Sequence, residues 1–197
     1  LKMDLVQQLH DLCAARKYDY IVIEASGICE PAPIAQTLCS YRQMIPFTED
    51  PAPKLDCIVS VCDALRLRDE FAEGRDLQRK DLDEDDLASL VIQQIEFCNL
   101  VLLNKAAEVS AEELDRITTI IRAIQPHAEI IPCNYGDVPF EKLLHTGLFD
   151  FNEVAGSAAW LEGVEGDVEN EEEGEAYEYG IDTFVYYRRR PFNLGRF

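Results

Sequence analysis

The sequence predicts an α/β fold in which a parallel sheet is flanked by helices. Two observations predict it. Short β-branched runs alternate with longer stretches of helical period from the start of the chain to Asp150, as in strands joined by crossover helices. The runs are also nearly continuously apolar, as strands buried on both faces must be. We therefore expect the carboxyl ends of the strands on one edge, where α/β proteins bind ligands.

The individual elements follow from these two textures. The predicted strands are Tyr18–Ile23, Cys57–Cys62, Leu100–Leu103 and Glu129–Pro132. The predicted helices are Asp4–Arg16, Ile34–Ser40, Asp85–Phe97, Ala111–Ile124 and Phe140–His145.

Two local patterns sharpen this assignment. Ser110 and Glu113 form a capping-box pattern at the start of Ala111–Ile124, so this helix has the clearest signal. Cys57 and Cys62 lie on one predicted strand at an odd separation, so their side chains should point to opposite faces. They are more typical of two buried small residues than of a metal pair.

Composition excludes several classes of function. The net charge is −20, which makes nucleic acid a poor partner. No apolar run is long enough for a transmembrane helix, and no signal peptide is visible, so we expect a cytoplasmic protein without a membrane partner. The seven cysteines are odd in number and irregularly spaced, which favours free thiols.

The texture changes after the α/β part. We expect residues 1–160 to form a nucleotide-binding domain and residues 161–180, which are rich in Glu and contain no Lys or Arg, to form a solvated linker. Residues 181–197 begin with a β-rich stretch and are predicted to start a small α+β second domain.

The first predicted strand delivers an acid and a glycine to the ligand edge. Glu24 and Gly27 follow it in the run Glu-Ala-Ser-Gly, which suits a Walker B role: the acid reaches Mg²⁺ or its water, and the glycine lets backbone approach a phosphate. The alternative is a strand-end turn with Glu24 in solvent. A metal contact shared by Glu24, Cys29 and Glu30 is less favoured than a capped helix opened by Pro31.

The second predicted strand ends at Asp63. This acid either helps to order the water shell of a metal or caps the turn that follows. Both alternatives stay open at this point.

The third predicted strand ends in Asn104-Lys105, the start of an N-K-x-D guanine-specificity signature. In such a loop the Asn braces the site, the Lys stem lies along the base, and the Asp accepts two hydrogen bonds from guanine. Here the fourth position is Ala107. Losing that acceptor should remove on the order of 2–5 kcal/mol of preference for guanine. Glu108 is adjacent, but only a loop adjustment would let it substitute.

The fourth predicted strand is followed by a glycine-containing loop that runs from Cys133 to Pro139. It either passes under a base or is an ordinary connection to the next helix.

The order of these segments resembles the CobW-like GTPases, relatives of UreG and HypB. The resemblance rests on five blocks in sequence, IVIEASGICEP, LDCIVSVCDALRL, VIQQIEFCNLVLLNK, VPFEKLLHTGLFDF and YGIDTFVYYRRRPF. It implies a P-loop NTPase-like fold with a CobW C-terminal domain, GTP hydrolysis with Mg²⁺, and delivery of Zn²⁺ or Co²⁺ as cargo to a client protein, a role the family also has in cobalamin biosynthesis.

The resemblance also implies roles for individual residues. Glu24 would be the catalytic Walker B acid beside Gly27, Asn104 and Lys105 would bind the nucleotide, and Glu24 and Asp63 would lie on the Mg²⁺ side. The family's Walker A loop, G-x-x-G-x-G-K-[ST], and its C-x-C-C metal motif do not occur in this sequence. We therefore expect a fragment that alone neither binds GTP tightly nor hydrolyses it.

Three hypotheses of function remain. The first is a GTPase-family metal chaperone, for which a homo-oligomer stays open. The alternative is a non-catalytic protein-interaction module in which the changed Asn-Lys-Ala-Ala loop has lost nucleotide handling. A third reading keeps nucleotide binding but relaxes the choice between GTP and ATP.

Overall fold

The structure, a computed structural model, describes residues 2–44, 53–78 and 87–151. The predicted linker (161–180) and the predicted second domain (181–197) lie outside these residues. The helices are α1 (Lys2–Ala14), α2 (Pro31–Met44), α3 (Ala64–Asp69), α4 (Leu87–Glu96) and α5 (Ala111–Ile124), and the strands are β1 (Val59–Asp63), β2 (Leu100–Asn104) and β3 (Glu129–Pro132). Short 3-10 segments lie at Ala72–Gln78, Ala106–Glu108 and Phe140–Lys142.

The three strands form a parallel sheet in the order β1-β2-β3. Val59 is level with Leu100, which is level with Glu129. The central strand β2 is buried along Leu100–Leu103, because it has a neighbour on each side and cover on each face. The α/β fold with a parallel sheet, predicted from the alternating texture, is confirmed, and it is consistent with a P-loop NTPase-like architecture.

The sheet has a well-covered face and a partly open one. On the covered face, Cys62 and Leu103 pack with residues that include Leu67 of α3, Ile95 of α4 and Ile117 of α5. This cluster is the main core of the described residues.

The opposite face has less cover. Cys57 packs there with Leu100 and Leu102, under Leu143 from the segment after β3. Cys57 and Cys62 thus point to opposite faces, as their odd spacing predicts.

The expectation that β1 is buried on both faces is wrong. Val59 is 39% exposed and Val61 is 65% exposed. Both lie on the open face, because residues two apart in a strand share a face, and the cover that Leu143 provides lies over β2 and β3 rather than over β1.

Helix α5 begins as its sequence predicts. Ser110 Oγ accepts a hydrogen bond from the backbone N–H of Glu113 at 3.3 Å, and the Glu113 carboxylate accepts one from the N–H of Ser110 at 2.7 Å. This reciprocal pair satisfies two backbone donors that the first helical turn leaves open. Ile117 and Ile121 then bury one stripe of the helix against the sheet.

The predicted strand Tyr18–Ile23 is wrong, because these residues have no regular structure. Val22 is 79% exposed. A strand is stable only when its backbone groups pair with a neighbour, and among the described residues the sheet ends at β1. The β-branched composition of this segment predicts a strand but does not supply the partner.

The predicted helix Phe140–His145 is also wrong, since only a 3-10 turn forms at Phe140–Lys142. His145 adopts φ 56°, a left-handed conformation that ends any right-handed helix. Helix α2, in contrast, is longer than the predicted Ile34–Ser40 and begins at Pro31, the position at which proline favours a helix start.

Candidate functional site

The carboxyl ends of the strands bring three predicted site residues together. Asp63 ends β1 and Asn104 ends β2, and the two are level in the sheet register. Lys105 follows Asn104 directly. Parallel strands place these residues on one edge because every crossover returns the chain to the opposite edge.

Asp63 uses both of its carboxylate oxygens within the protein. Oδ1 accepts a hydrogen bond from the N–H of Arg66 at 3.1 Å and caps α3, and Oδ2 lies 2.5 Å from Nζ of Lys105. Partial burial acts to raise the pKa of Asp63, but the bonds from Lys105 and from backbone N–H groups outweigh it and lower the pKa. Of the two alternatives for Asp63, the geometry shows the cap, and the role in a metal's water shell stays a prediction.

Lys105 is held across the edge of the sheet. Its backbone adopts φ 56°, and its ammonium reaches from the end of β2 to Asp63 at the end of β1. The hydrogen bond with Asp63 raises the pKa of Lys105, so the side chain stays charged. The stem therefore bridges the two strand ends in a fixed direction.

Two loops at this edge are fastened to each other, and we call them the base-side loops (residues 104–108 and 133–137). Asn104 Oδ1 accepts a hydrogen bond from the N–H of Gly136 at 3.2 Å, and Asn134 Oδ1 accepts one from the N–H of Ala107 at 2.9 Å. The carbonyl oxygen of Cys133 accepts a third bond from the N–H of Ala106 at 3.1 Å. Each loop thus supplies an asparagine to the other.

Asn134 was missed by the sequence reasoning, which singled out only Asn104. The signal that could have found it is the run Asn134-Tyr135-Gly136, since asparagine and glycine favour tight turns in which side-chain oxygens bind backbone N–H groups. A turn of that kind directly after a parallel strand lies at the ligand edge.

Tyr135 has an unusual conformation within the second base-side loop. It adopts φ 55°, where a bulky side chain costs on the order of 1–3 kcal/mol. Its side chain is 97% exposed, so packing within the protein does not offset this conformational strain. The neighbouring Gly136 also has positive φ, at 66°.

The Glu24 segment (residues 17–30) is built differently. Glu24 and Gly27 are exposed, and a Cβ placed at Gly27 would meet no atom within 4 Å. Nε2 of Gln94 in α4 donates to the carbonyl oxygens of Gly27 and Cys29, both at 3.1 Å. No hydrogen bond or ion pair between described residues joins Glu24 to Asp63 or Lys105, so the structure does not bring the two predicted parts of the site into contact.

Asp56 fastens the start of the Glu24 segment to the sheet. Its carboxylate accepts hydrogen bonds from the Tyr20 hydroxyl at 2.7 Å, from the N–H of Thr146 at 2.9 Å and from the N–H of Gly147 at 2.8 Å. Burial acts to raise the pKa of Asp56, but these donors lower it. Burial and the bond to Asp56 raise the pKa of Tyr20 to about 12. The ring of Tyr20 also meets His145 edge-on at a centroid distance of 5.2 Å.

The described residues provide no cluster of three or more His, Cys, Asp or Glu suited to a metal ion. Burial raises the pKa of Cys57 and of Cys62 to about 11, and that of Cys98 to about 12. Without a bound metal, these thiols stay protonated near neutral pH. Cys29 is buried and donates to the carbonyl oxygen of Glu30. For Mg²⁺, Glu24 is exposed, whereas each carboxylate oxygen of Asp63 already binds a group of the protein.

Comparison with known sequences decides the family. The family described as CobW/HypB/UreG, nucleotide-binding domain, matches residues 1–132. The chain belongs to the CobW/HypB/UreG family. The match spans both the Glu24 segment and the Asn104–Lys105 loop, so the resemblance found from the five blocks is confirmed.

Curated members of this family align with the chain. A zinc-regulated GTPase metalloprotein activator 1 from Dictyostelium discoideum is 35% identical over 100% of this chain and 42% of its own length. A zinc chaperone CobW from Pseudomonas aeruginosa is 29% identical over 69% of this chain and 37% of its own length. The activator from Schizosaccharomyces pombe is 33% identical over 61% of this chain and 25% of its own length.

The chain therefore spans less than half the length of these CobW-family relatives. No solved structure matches. Among the described residues, no helix combines the length and apolar character needed to cross a bilayer.

Proposed function

We propose that this chain carries the base-binding part of a CobW-family protein that binds and hydrolyses GTP in the cytoplasm and delivers a metal to a client protein. The observation that carries the proposal is the pair of base-side loops. Asn104 and Asn134 lock them together at the ligand edge of a parallel sheet, and this is the edge at which nucleotides bind in related folds.

We propose separate roles for the predicted site residues. Asn104 braces the second loop against the first, and the Lys105 stem forms part of the surface on which a base lies. Gly27 has open space at its Cβ position, which would let a phosphate approach the backbone. Glu24 would face Mg²⁺ through water, since this ion takes one or two carboxylates besides the phosphates of a nucleotide. Asp63 acts through Lys105 instead of through the metal.

Zinc is the proposed cargo, with cobalt as the second choice. The names of three relatives refer to zinc or to a zinc chaperone, and this supports Zn²⁺ over Co²⁺. The client would be a protein that requires the metal.

The first test of this proposal is a titration of the 197-residue chain with GTP and Mg²⁺. The sequence has no Walker A loop, so its ring of N–H groups and its lysine are not available to hold a triphosphate. We expect no binding tighter than micromolar and no phosphate release. Submicromolar binding by calorimetry would contradict this account.

The second test adds the segments of a relative that this chain does not cover. A chimera joins this chain to the remaining segments of the Dictyostelium relative. We expect it to bind GTP and to release phosphate, and the Asn104→Ala chimera to bind more weakly with the same fold. A matched Asn99→Ala chimera is a poor control because Asn99 Oδ1 accepts a hydrogen bond from the N–H of Ile58. Gln93→Ala, at a half-buried position of α4 outside the base-side loops, is a better one.

One observation favours the alternative of a non-catalytic interaction module. Ala107 replaces the base-reading acid. If the chimera folds but binds neither GTP nor ATP, the metal-chaperone GTPase is excluded and the interaction module remains.

A further inference from the structure

We propose that Tyr135 is a base-stacking residue, and that stacking on its ring takes over part of the base recognition that the family signature assigns to the acid at position 107. This inference rests on the proposed nucleotide site and names a residue and a mode of recognition within it. The ligand class is a purine nucleoside or nucleotide.

The position of Tyr135 is fixed by its two neighbours. Asn134 binds the N–H of Ala107, and the N–H of Gly136 binds Asn104. Tyr135 therefore lies between two anchors that both contact the 104–107 loop. Its backbone cannot move away from the Asn104–Lys105 region unless one of these bonds breaks.

The backbone of Tyr135 belongs to a tight turn in which the N–H of Asp137 donates to the carbonyl oxygen of Asn134 at 3.0 Å, but packing does not explain why a tyrosine occupies this position. A tyrosine at φ 55° is strained, and a side chain that is 97% exposed buries almost nothing in return. Strain of this kind persists where the surroundings impose it, and it concentrates at ligand sites. Two hydrogen bonds hold this loop in place while the tyrosine ring stays exposed at the ligand edge. The ring is therefore positioned to contact a ligand.

The chemistry of the edge favours a base as that ligand. Aromatic rings stack on every base, because each base has a π face. The acid that would read the N–H groups of guanine is replaced by Ala107, and Asn134 Oδ1 is already bonded. Recognition through stacking should therefore hold guanine and adenine with similar strength, within about threefold.

The test uses nucleosides, which carry no phosphate, so the missing Walker A loop does not affect the result. Guanosine and adenosine are titrated separately into the 197-residue chain, and binding is followed by saturation-transfer NMR. We expect millimolar binding of both. Tyr135→Ala should weaken it about fivefold or more, and Tyr135→Phe should leave it within twofold, because stacking needs the ring and not the hydroxyl.

Two further variants separate ligand binding from structure. Tyr18→Ala is the matched control, since Tyr18 is also exposed, at 60%, and lies outside the base-side loops; we expect unchanged binding. Tyr135→Asn should lose binding while it raises the midpoint of thermal unfolding, because asparagine tolerates left-handed backbone. A merely structural Tyr135 would not move these two readouts in opposite directions.

The outcomes are distinguishable. Binding that Tyr135→Ala weakens and Tyr135→Phe preserves supports the proposal. Binding that is equal in the wild type and in Tyr135→Ala overturns it and leaves the proposed nucleotide site standing. If the wild type binds neither guanosine nor adenosine, the stacking proposal and the proposed nucleotide site are both overturned. If the wild type binds guanosine more than tenfold more tightly than adenosine, the stacking mode of recognition is overturned.

Discussion

The base-side loops and the Glu24 segment belong to the same predicted site, but they are held in different ways. The base-side loops follow paired strands and bind each other through two asparagine side chains. The Glu24 segment has no strand pairing, and it is held at one end by Tyr20 on Asp56 and at the other by Gln94. The comparison shows that the paired strands β2 and β3 place the base-side loops at the ligand edge. The Glu24 segment has no such pairing, so side-chain hydrogen bonds fix only its two ends.

The largest expected effect comes from Asp56→Ala. The change leaves the Tyr20 hydroxyl and the N–H groups of Thr146 and Gly147 without their acceptor, and hydrogen bonds to a charged group contribute about 1.5–3 kcal/mol each, with overlap. We expect the free energy of unfolding in urea to fall by about 3 kcal/mol. Asp19→Ala, at an exposed neighbour of Tyr20, is the control. Equal curves for Asp56→Ala and wild type would show that the segment is held by other means.

Acid should weaken the same attachment. The pKa of Asp56 is lower in the folded protein than in the unfolded chain, so its contribution to stability is present above the unfolded value of about 3.9 and is lost as the pH falls through the folded pKa. We expect the midpoint of urea unfolding to drop below about pH 4. Asp56→Asn should flatten this drop, and an unchanged slope in that variant would assign the acid sensitivity to other carboxylates.

Two variants of Asp63 separate its contribution as a helix cap from its contribution as the ion-pair partner of Lys105. Asp63→Ala removes both, and we expect a loss of about 1.5 kcal/mol. Asp63→Asn keeps a capping oxygen and removes only the charge, so the loss should be about 0.5 kcal/mol, because the pair with Lys105 is exposed to solvent. Equal losses in the two variants, measured by thermal unfolding, would mean that the cap contributes nothing.

The contributions of Asn104 and Asn134 to the base-side loops can be measured separately. Asn134→Ala should speed hydrogen exchange at the amide of Ala107, and Asn104→Ala should speed it at Gly136, each by the equivalent of about 1 kcal/mol. Each variant is the control for the other. If both amides speed up in both variants, the two loops open as one unit rather than through separate bonds.

The smallest effect belongs to Gln94→Ala. We expect less than 1 kcal/mol of lost stability, since the bond to Gly27 is exposed and the bond to Cys29 is only partly buried, but faster proteolysis of the Glu24 segment. Gln93→Ala, one position earlier on α4, should leave cleavage unchanged. Cleavage that is equally slow in both variants would show that Gln94 does not hold this turn.

Much of the fold was predictable because its signals are local. The capping box at Ser110 and Glu113, the apolar stripe of α5 and the β-branched runs of β2 and β3 depend on nearby residues. That Tyr18–Ile23 forms no strand was not predictable, because strand formation depends on a partner and composition does not reveal whether one is present. The predicted helix Phe140–His145 includes a residue, His145, with left-handed backbone, which the apolar pattern does not indicate.

The site was predictable in part for the same reason. Asp63, Asn104 and Lys105 could be placed because the carboxyl ends of parallel strands share an edge. That Asp63 and Lys105 bind each other could not be read from the sequence, because it depends on the register between β1 and β2. Asn134 and Gln94 were missed for a related reason: each acts on a loop that is distant in sequence.

The carboxylate of Asp56 has a consequence for the order of folding. It joins residues 90 positions apart, from Asp56 to Thr146, whereas β1 and β2 pair over a shorter separation. Contacts that close long loops form slowly. During synthesis from the N-terminus, the sheet has its first two strands before Thr146 leaves the ribosome. The bonds from Thr146 and Gly147 to Asp56 therefore form late, after most of the core around β2 has been made, whereas Tyr20, which holds the Glu24 segment, can bond to Asp56 earlier.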